Sequence, residues 1–337
     1  ILTFFSTTFL NAKTFRVNDI EISQSFDLDF SKNKVLDKGF KLAFLNLISM
    51  ITTSGDKKKI KNTSLNEIKR MIDSFTISDE KFIDDKYFAN LDVIFNKKNT
   101  LLFLEKENIF PSIPVQNNLL LIPLVIDLES NDIFLFSNNI FYEKWNNQNE
   151  NHYLLKYILP SEDIDDLNYI LKNFKNIEEY DFNELIKKYE LGDYIIAIIF
   201  KKKNEIRVLS KINLKDVLKL NNKIFFDINL DDEKNLNYVV RTLKEIYEDF
   251  WKKSNQINTS IKLPLTLSVE SNKYKKIEKL ENTLNTLDLV SDFFILRFNN
   301  KNSFYRIIYN GSPLSFLNDM KKVNLELITE NNVWVLK

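Results

Sequence analysis

The side chains best grouped for chemistry along this chain are two sets of carboxylates: Glu162, Asp163, Asp165 and Asp166, and then Asp227, Asp231, Asp232 and Glu233. Carboxylates held this close could bind a hard cation such as Ca²⁺, which takes oxygen ligands. They could also serve a hydrolase as acid and base. Neither set has the glycine turn or the D-x-D-x-D-G spacing of a calcium loop. The plain alternative is a solvated helix N-terminus, where acidic residues sit well against the macrodipole. Glu178 and Glu179 adjoin no partner signal, and His152, the sole histidine, could be a general base. A lone histidine between Asn151 and Tyr153 at a strand start equally fits a surface or half-buried residue. No serine stands in a nucleophile turn, so no catalytic residue is assigned.

Composition removes other chemistries. The four glycines, Gly39, Gly55, Gly192 and Gly311, are far apart, which excludes dinucleotide fingerprints, Walker loops and the G-x-S-x-G elbow. One histidine excludes H-E-x-x-H, and the lack of cysteine excludes thiolate metal sites and cysteine nucleophiles. No cofactor and no metal are therefore expected. With 47 basic and 47 acidic side chains the net charge is zero, which argues against a broad electrostatic claim on nucleic acid. Phe293, Arg297, Phe298, Lys301, Phe304, Tyr305 and Arg306 interleave basic and aromatic residues, a faint echo of an RNA-binding sheet, without its G-F/Y-G/A-F motif. The lysine runs and the use of Asn, Ile and Phe read as AT-rich codon bias. Trp145, Trp251 and Trp334 fit either core packing or an interface, since aromatic side chains often anchor binding surfaces.

Three blocks of elements would position these residues. Ile1–Leu10 is apolar and uncharged and resembles the end of a secretory signal, with Ala12 before a cleavage point, so residues 1–12 are expected to be a signal remnant. Residues 13–110 read β-α-α-β-β-α: strand over Val17–Phe30, a helix capped by Ser31 and closed near Gly55, a second opened by the Ser64/Glu67 capping box, two strands turning at Asp84-Asp85, and a last helix. Phe110–Pro114 breaks the pattern as a linker. Residues 115–256 alternate strand and helix, as in a three-layer α/β sheet. Pro123 inside the run Leu119–Ile126 predicts an edge or a local break in pairing. Asp181 should cap a helix that Gly192 ends; strands follow at Asp193–Phe200, Ile206–Ile212 and Ile224–Ile228, then a long helix from Asp231-Asp232 to Trp251. Residues 260–337 read β-α-β-β-α-β, the ferredoxin-like order, with a short end strand. The expected class is thus α/β (α+β) in three small domains.

Several stretches resemble the bacterial family called domain of unknown function 2066. They are the helix Lys38–Ile51, Ser78-Asp79-Glu80, Tyr87–Asn96, Leu119–Pro123, the turn in Tyr157–Asp163, and Lys188–Asp193. Asn139–Trp145 is similar to that family's Asn-Pro-Trp…Trp pattern, with Ile140 and Phe141 in place of its proline and first tryptophan; Trp251 matches a tryptophan that ends the long helix. The resemblance implies an exported protein of a Gram-negative envelope and transfers no catalytic residue. More loosely, the first block resembles β-α-α-β-β modules of flagellar and curli-assembly proteins, and the strand around Pro123 resembles TolB-type amino-terminal domains. The expectation is a non-enzymatic periplasmic protein that contacts an envelope protein partner, binds no nucleic acid and carries no transmembrane segment beyond the signal remnant. The alternatives are a small-ligand-binding module with a crevice near Pro123 and Pro160, or a carboxylate-dependent hydrolase.

Overall fold

The computed structural model describes residues 15–147, 152–259, 261–330 and 333–337, and the expected signal remnant at 1–12 lies outside them. The chain divides into two compact units: Pro114–Asn255 forms one, and the residues up to Ile113 join Gln256–Lys337 in the other. Helices and strands mix in an α+β fold with three sheets, and each of the three expected blocks carries one sheet.

The amino-terminal part of the discontinuous unit holds β1 (Arg16–Ser25), α1 (Lys32–Ile51), α2 (Ser54–Ile60), α3 (Leu65–Met71), β2 (Ile72–Ile83), β3 (Lys86–Phe95) and α4 (Lys97–Lys106). Ser31 caps α1 through the Lys34 amide, and Ser64 caps α3 through that of Glu67, as their spacing predicts. One expectation fails: Gly55 does not close a helix but lies in the first turn of α2, which Thr53 caps, so three helices rather than two stand between β1 and β2. The sheet runs β1-β3-β2, and α1 covers it through Val35, Phe40, Phe44 and Leu47 against Ile20, Ile22 and Leu91.

Gly39 marks the closest approach of α1 to that sheet. A Cβ there would stand 2.7 Å from Leu91 Cδ2 and 3.0 Å from Ile22 Cγ2. Gly39→Leu should therefore destabilise the protein by about 1–3 kcal/mol through overpacking. Gly39→Ala should come out close to neutral, because the roughly 1 kcal/mol gain in helix propensity offsets a small shift of Leu91. Urea unfolding of the two variants tests the contrast; a Leu variant as stable as the Ala variant would refute the close approach.

The second unit is a six-stranded sheet with helices on both faces. It contains β4 (Asn117–Asp127), β5 (Asp132–Phe134), α5 (Ile140–Trp145), β6 (Leu155–Ile158), α6 (Ile164–Lys172), α7 (Asn183–Lys187), β7 (Tyr194–Lys202), β8 (Glu205–Leu214), β9 (Val217–Phe225) and α8 (Glu233–Ser254). The order is β5-β4-β7-β8-β9, with β6 also on β4; β6, β4 and β7 are parallel and β7-β8-β9 is an antiparallel meander. Alternate residues of β4 and β7 face two cores. Leu119, Leu121, Ile195 and Ala197 meet α5 and α8, whereas Leu120, Ile122, Ile196 and Ile198 meet α6 and α7. That is why both strands read as continuous apolar runs.

Pro123 marks the predicted local break. On the flank away from β7, β4 pairs with β6 over Asn117–Leu120 and with β5 over Val125–Asp127, and Pro123 falls between the two. Its carbonyl accepts a hydrogen bond from Asn139 Nδ2 at 2.8 Å instead. Gly192, by contrast, does not end a helix: α7 stops at Lys187, and the left-handed backbone after it belongs to Glu190 (φ 52°). No glycine has positive φ among the described residues; Asp, Asn and Lys take that role at most such positions, with Phe136 and Glu190 at the others. Asp84-Asp85 (φ 48° and 53°) and Lys215-Asp216 (φ 53° and 61°) form the two-residue turns of the β2–β3 and β8–β9 hairpins.

The carboxyl-terminal part contains β10 (Leu263–Glu270), α9 (Tyr274–Thr286), β11 (Val290–Phe298), β12 (Asn302–Tyr309), α10 (Pro313–Lys322), β13 (Leu327–Glu330) and β14 (Val333–Leu336). The order β11-β12-β10-β14-β13 keeps the ferredoxin-like βαββα run. It departs at the end, where β14 pairs parallel with β10 and displaces β13 to the sheet edge.

Candidate functional site

Neither carboxylate set converges on a shared site. Asp163 caps α6, accepting from the amides of Asp165 and Asp166, and Lys188 Nζ bridges Asp163 (2.7 Å) and Asp166 (2.8 Å). The lysine beside it, helped by those amides, holds the Asp163 carboxyl below its ordinary range, the opposite of what a general acid needs. Glu162 accepts from the Ser137 amide. In the other set Asp232 caps α8 and Glu233 pairs with Lys144 at 3.2 Å. Glu178 pairs with Arg207. His152 is half-buried with its ring against Tyr153, 4.8 Å between centroids. Among the described residues no three His, Cys, Asp or Glu side chains are grouped so as to hold a metal ion, and no helix is long and apolar enough to cross a membrane.

Two of the three tryptophans are interior. Trp145 is fully buried, edge-on to Tyr157 at 5.5 Å and stacked on Tyr247 at 6.1 Å. Trp251 is buried and donates from Nε1 to the Val115 carbonyl at 2.7 Å. Trp334 lies half-buried on β14 against the core of its sheet. The basic and aromatic residues of β11 and β12 split between the two faces of that sheet. Tyr305 and Ile307 point into the core, while Arg297 stacks on Phe304 at 4.3 Å and Arg306 donates to Thr266 on the other face.

The buried face of α8 carries a polar stripe that the sequence reading missed: Lys244, Glu248 and Lys252, each four residues apart. Glu248 Oε1 accepts from the amides of Leu154 and Leu155, both at 2.8 Å, and Oε2 lies 3.6 Å from Lys252 Nζ. The amine of Lys244 faces the rings of Trp145, Tyr153 and Tyr157 at 5.5–6.0 Å. This stripe fastens the start of β6 to α8.

A cavity of about 190 Å³ lies in the discontinuous unit between α4 and β11–β12, floored by Leu101, Leu102 and Ile308. Ion pairs of Lys98 with Asp292 (2.7 Å) and Lys262 with Glu105 (2.8 Å) line its rim. Nearby, burial pushes the half-buried Lys97 amine down to about 8, against the opposing pull of Asp288, and the amine donates to the Leu287 carbonyl.

The open strand edges differ in how they are guarded. Terminal strands are templates for pairing unless they are short, bulged or charged. β5 and β13 have three and four residues. β1, β2 and β11 all carry register shifts. β9 runs for nine residues in unbroken register with β8, its other edge has no strand partner among the described residues, and its one guard is the charge of Lys219 and Lys223. Leu218, Leu220 and Ile224 are 57%, 66% and 41% exposed, so an apolar row stands in solvent along that edge. The hairpin that presents β9 is fixed at its turn: the Lys215 amide donates to Asp193 Oδ1 at 2.7 Å, and its amine lies over the Trp251 ring at 5.2 Å. The sequence reading placed a strand at Ile224–Ile228, and the structure corrects it to Val217–Phe225. The usable signal was the alternation of Val217, Lys219, Asn221 and Lys223 with Leu218, Leu220 and Ile224.

No protein-family model matches the chain, and no curated protein does.

Proposed function

We propose that this chain is a non-enzymatic, exported protein of the cell envelope that works by protein–protein contact, taking an extended segment of a partner onto the open edge of β9. The observation that carries this reading is a nine-residue edge strand without a bulge that exposes three large apolar side chains in one row. Such an edge supplies main-chain hydrogen bonds to an added strand and pockets for alternate side chains. The apolar opening Ile1–Leu10 and the resemblance to the domain of unknown function 2066 family support the envelope location. Two cavities favour the small-ligand reading: an open one of about 460 Å³ at the β2–β3 turn, lined by Phe26, Phe82, Asp84, Asp85 and Lys86, and the more enclosed one beside α4. At about 190 Å³ the second is below the roughly 300–1,000 Å³ of common ligand sites, and its rim charges already pair with each other.

A photoreactive phenylalanine analogue placed at Leu220 and irradiated in intact cells should give one discrete crosslinked product. The same probe at Lys156, exposed on β6 at the opposite end of the sheet from β9, should give none. Loss of the discrete product, or equal products at both positions, would sink the reading.

A further inference from the structure

We infer that the segment β9 accepts is an extended strand with carboxylates at alternate positions on one side and branched apolar side chains on the other. This rests on the reading of β9 as a contact edge. Residues directly opposite each other in a strand pair share a face, so the two faces of β9 dictate the two faces of what pairs with it. Pairing with β8 sets Lys219 opposite Ile212 and Lys223 opposite Val208, on the α8 side of the sheet. Leu218, Leu220 and Ile224 stand opposite Asn213, Lys211 and Arg207, on the other side.

Lys219 lies over the Phe250 ring at 5.6 Å and Lys223 over Phe225 at 5.7 Å. Among the described residues neither has a carboxylate within ion-pair distance, as is true of several other exposed lysines of this unit, but these two share one face of an open edge. Two unanswered cations four residues apart on an open edge, about 13 Å at strand rise, are complemented by acidic residues at the same spacing. The same lysines disfavour a second copy: two β9 strands paired antiparallel about Asn221 would set Lys219 against Lys223 in both directions, and like charges directly opposite are destabilising. The apolar row then asks for Val, Ile or Leu on the alternate positions of the incoming strand.

The test uses three synthetic nine-residue peptides that alternate Glu–Val, Lys–Val and Thr–Val, with amide hydrogen exchange of 217–225 and fluorescence anisotropy as readouts on the full chain. Glu–Val should slow exchange along β9 and bind roughly tenfold more tightly than Lys–Val. The preference should weaken with salt. The double variant Lys219→Glu/Lys223→Glu should reverse the order. If that variant fails to fold, Lys219→Gln/Lys223→Gln should abolish the preference without reversing it. Equal protection by all three peptides would overturn the acidic partner while leaving the contact edge standing. No protection of β9 by any of them would remove both. Protection of β9 on raising protein concentration alone would assign the edge to a second copy and overturn the inference.

Discussion

Replacing Glu248 with alanine is expected to destabilise the Pro114–Asn255 unit by about 3–5 kcal/mol, the cost of removing one partner from a buried charge pair. Glu248 is 1% exposed and its carboxylate serves three groups at once: the backbone amides of Leu154 and Leu155 at the start of β6, and the Lys252 amine. Its loss strands the two amides away from water and removes the ion pair of Lys252. Glu248→Gln should cost less, because the amide oxygen can still accept from Leu154 and Leu155. The pH dependence has a definite sign. Burial raises the Glu248 carboxyl above the ordinary glutamate range, and Lys252 and the two amides pull it only partly back. A raised pKa means that the fold penalises the ionised form. The contribution of Glu248 is therefore fully present below the ordinary glutamate value and is lost as pH rises through the folded one. The stability gap between wild type and Glu248→Gln should narrow as pH rises from the glutamate range upward. Urea unfolding at a series of pH values measures it, and a gap that widens with pH would mean that the pair with Lys252 outweighs burial.

The elements that could be read from sequence are those with a buried face and a polar cap. The α1 helix follows from Ser31 and the spacing of Val35, Phe40, Phe44 and Leu47; α8 follows from Asp232 and its long apolar stripe; α10 follows from Pro313 at its start. Pro123 could also be read, because a missing amide inside an apolar run must fall where no neighbour needs it. The misses have a common cause in the rarity of glycine. Gly55 and Gly192 were natural stops, yet the chain stops on Thr52 and Glu190, and its hairpins turn on Asp-Asp and Lys-Asp. With Lys215-Asp216 in place of Asn-Gly, the β8–β9 turn carries no familiar sign, and the apolar residues Ile224–Ile228 point to a strand that starts too late in the chain. The candidate edge was hard to see for a second reason. Only Phe225 of its nine residues is buried, and apolar alternation on a solvated strand looks like loop. The polar stripe of α8 escaped because Lys244, Glu248 and Lys252 look like an ordinary solvent-facing ladder at four-residue spacing, and only the register of the helix against β6 shows that they point inward.

Trp145→Ala should cost the same unit about 3–5 kcal/mol, as large-to-small changes in a packed core do, and it decides between the two roles open to this residue. Trp145 has no exposed surface; it is stacked on Tyr247, edge-on to Tyr157, and 6.0 Å from the Lys244 amine. Its Nε1 has no hydrogen-bond partner. A buried donor without a partner is itself costly, so Trp145→Phe, which removes that donor with part of the ring, should lose only about 1 kcal/mol. Trp251→Phe has no such offset, because it breaks a 2.7 Å bond to Val115. Trp334→Ala, at a half-buried strand position, should cost roughly 1 kcal/mol and fall on the other unit. Circular dichroism against urea is the readout, since fluorescence changes with the residue removed. Packing demands that Trp145→Ala be the most damaging of these changes, with partner crosslinking at Leu220 retained wherever the fold survives. A Trp145→Ala protein of unchanged stability that loses the crosslink would instead make Trp145 part of the contact, through a conformation in which it reaches the surface.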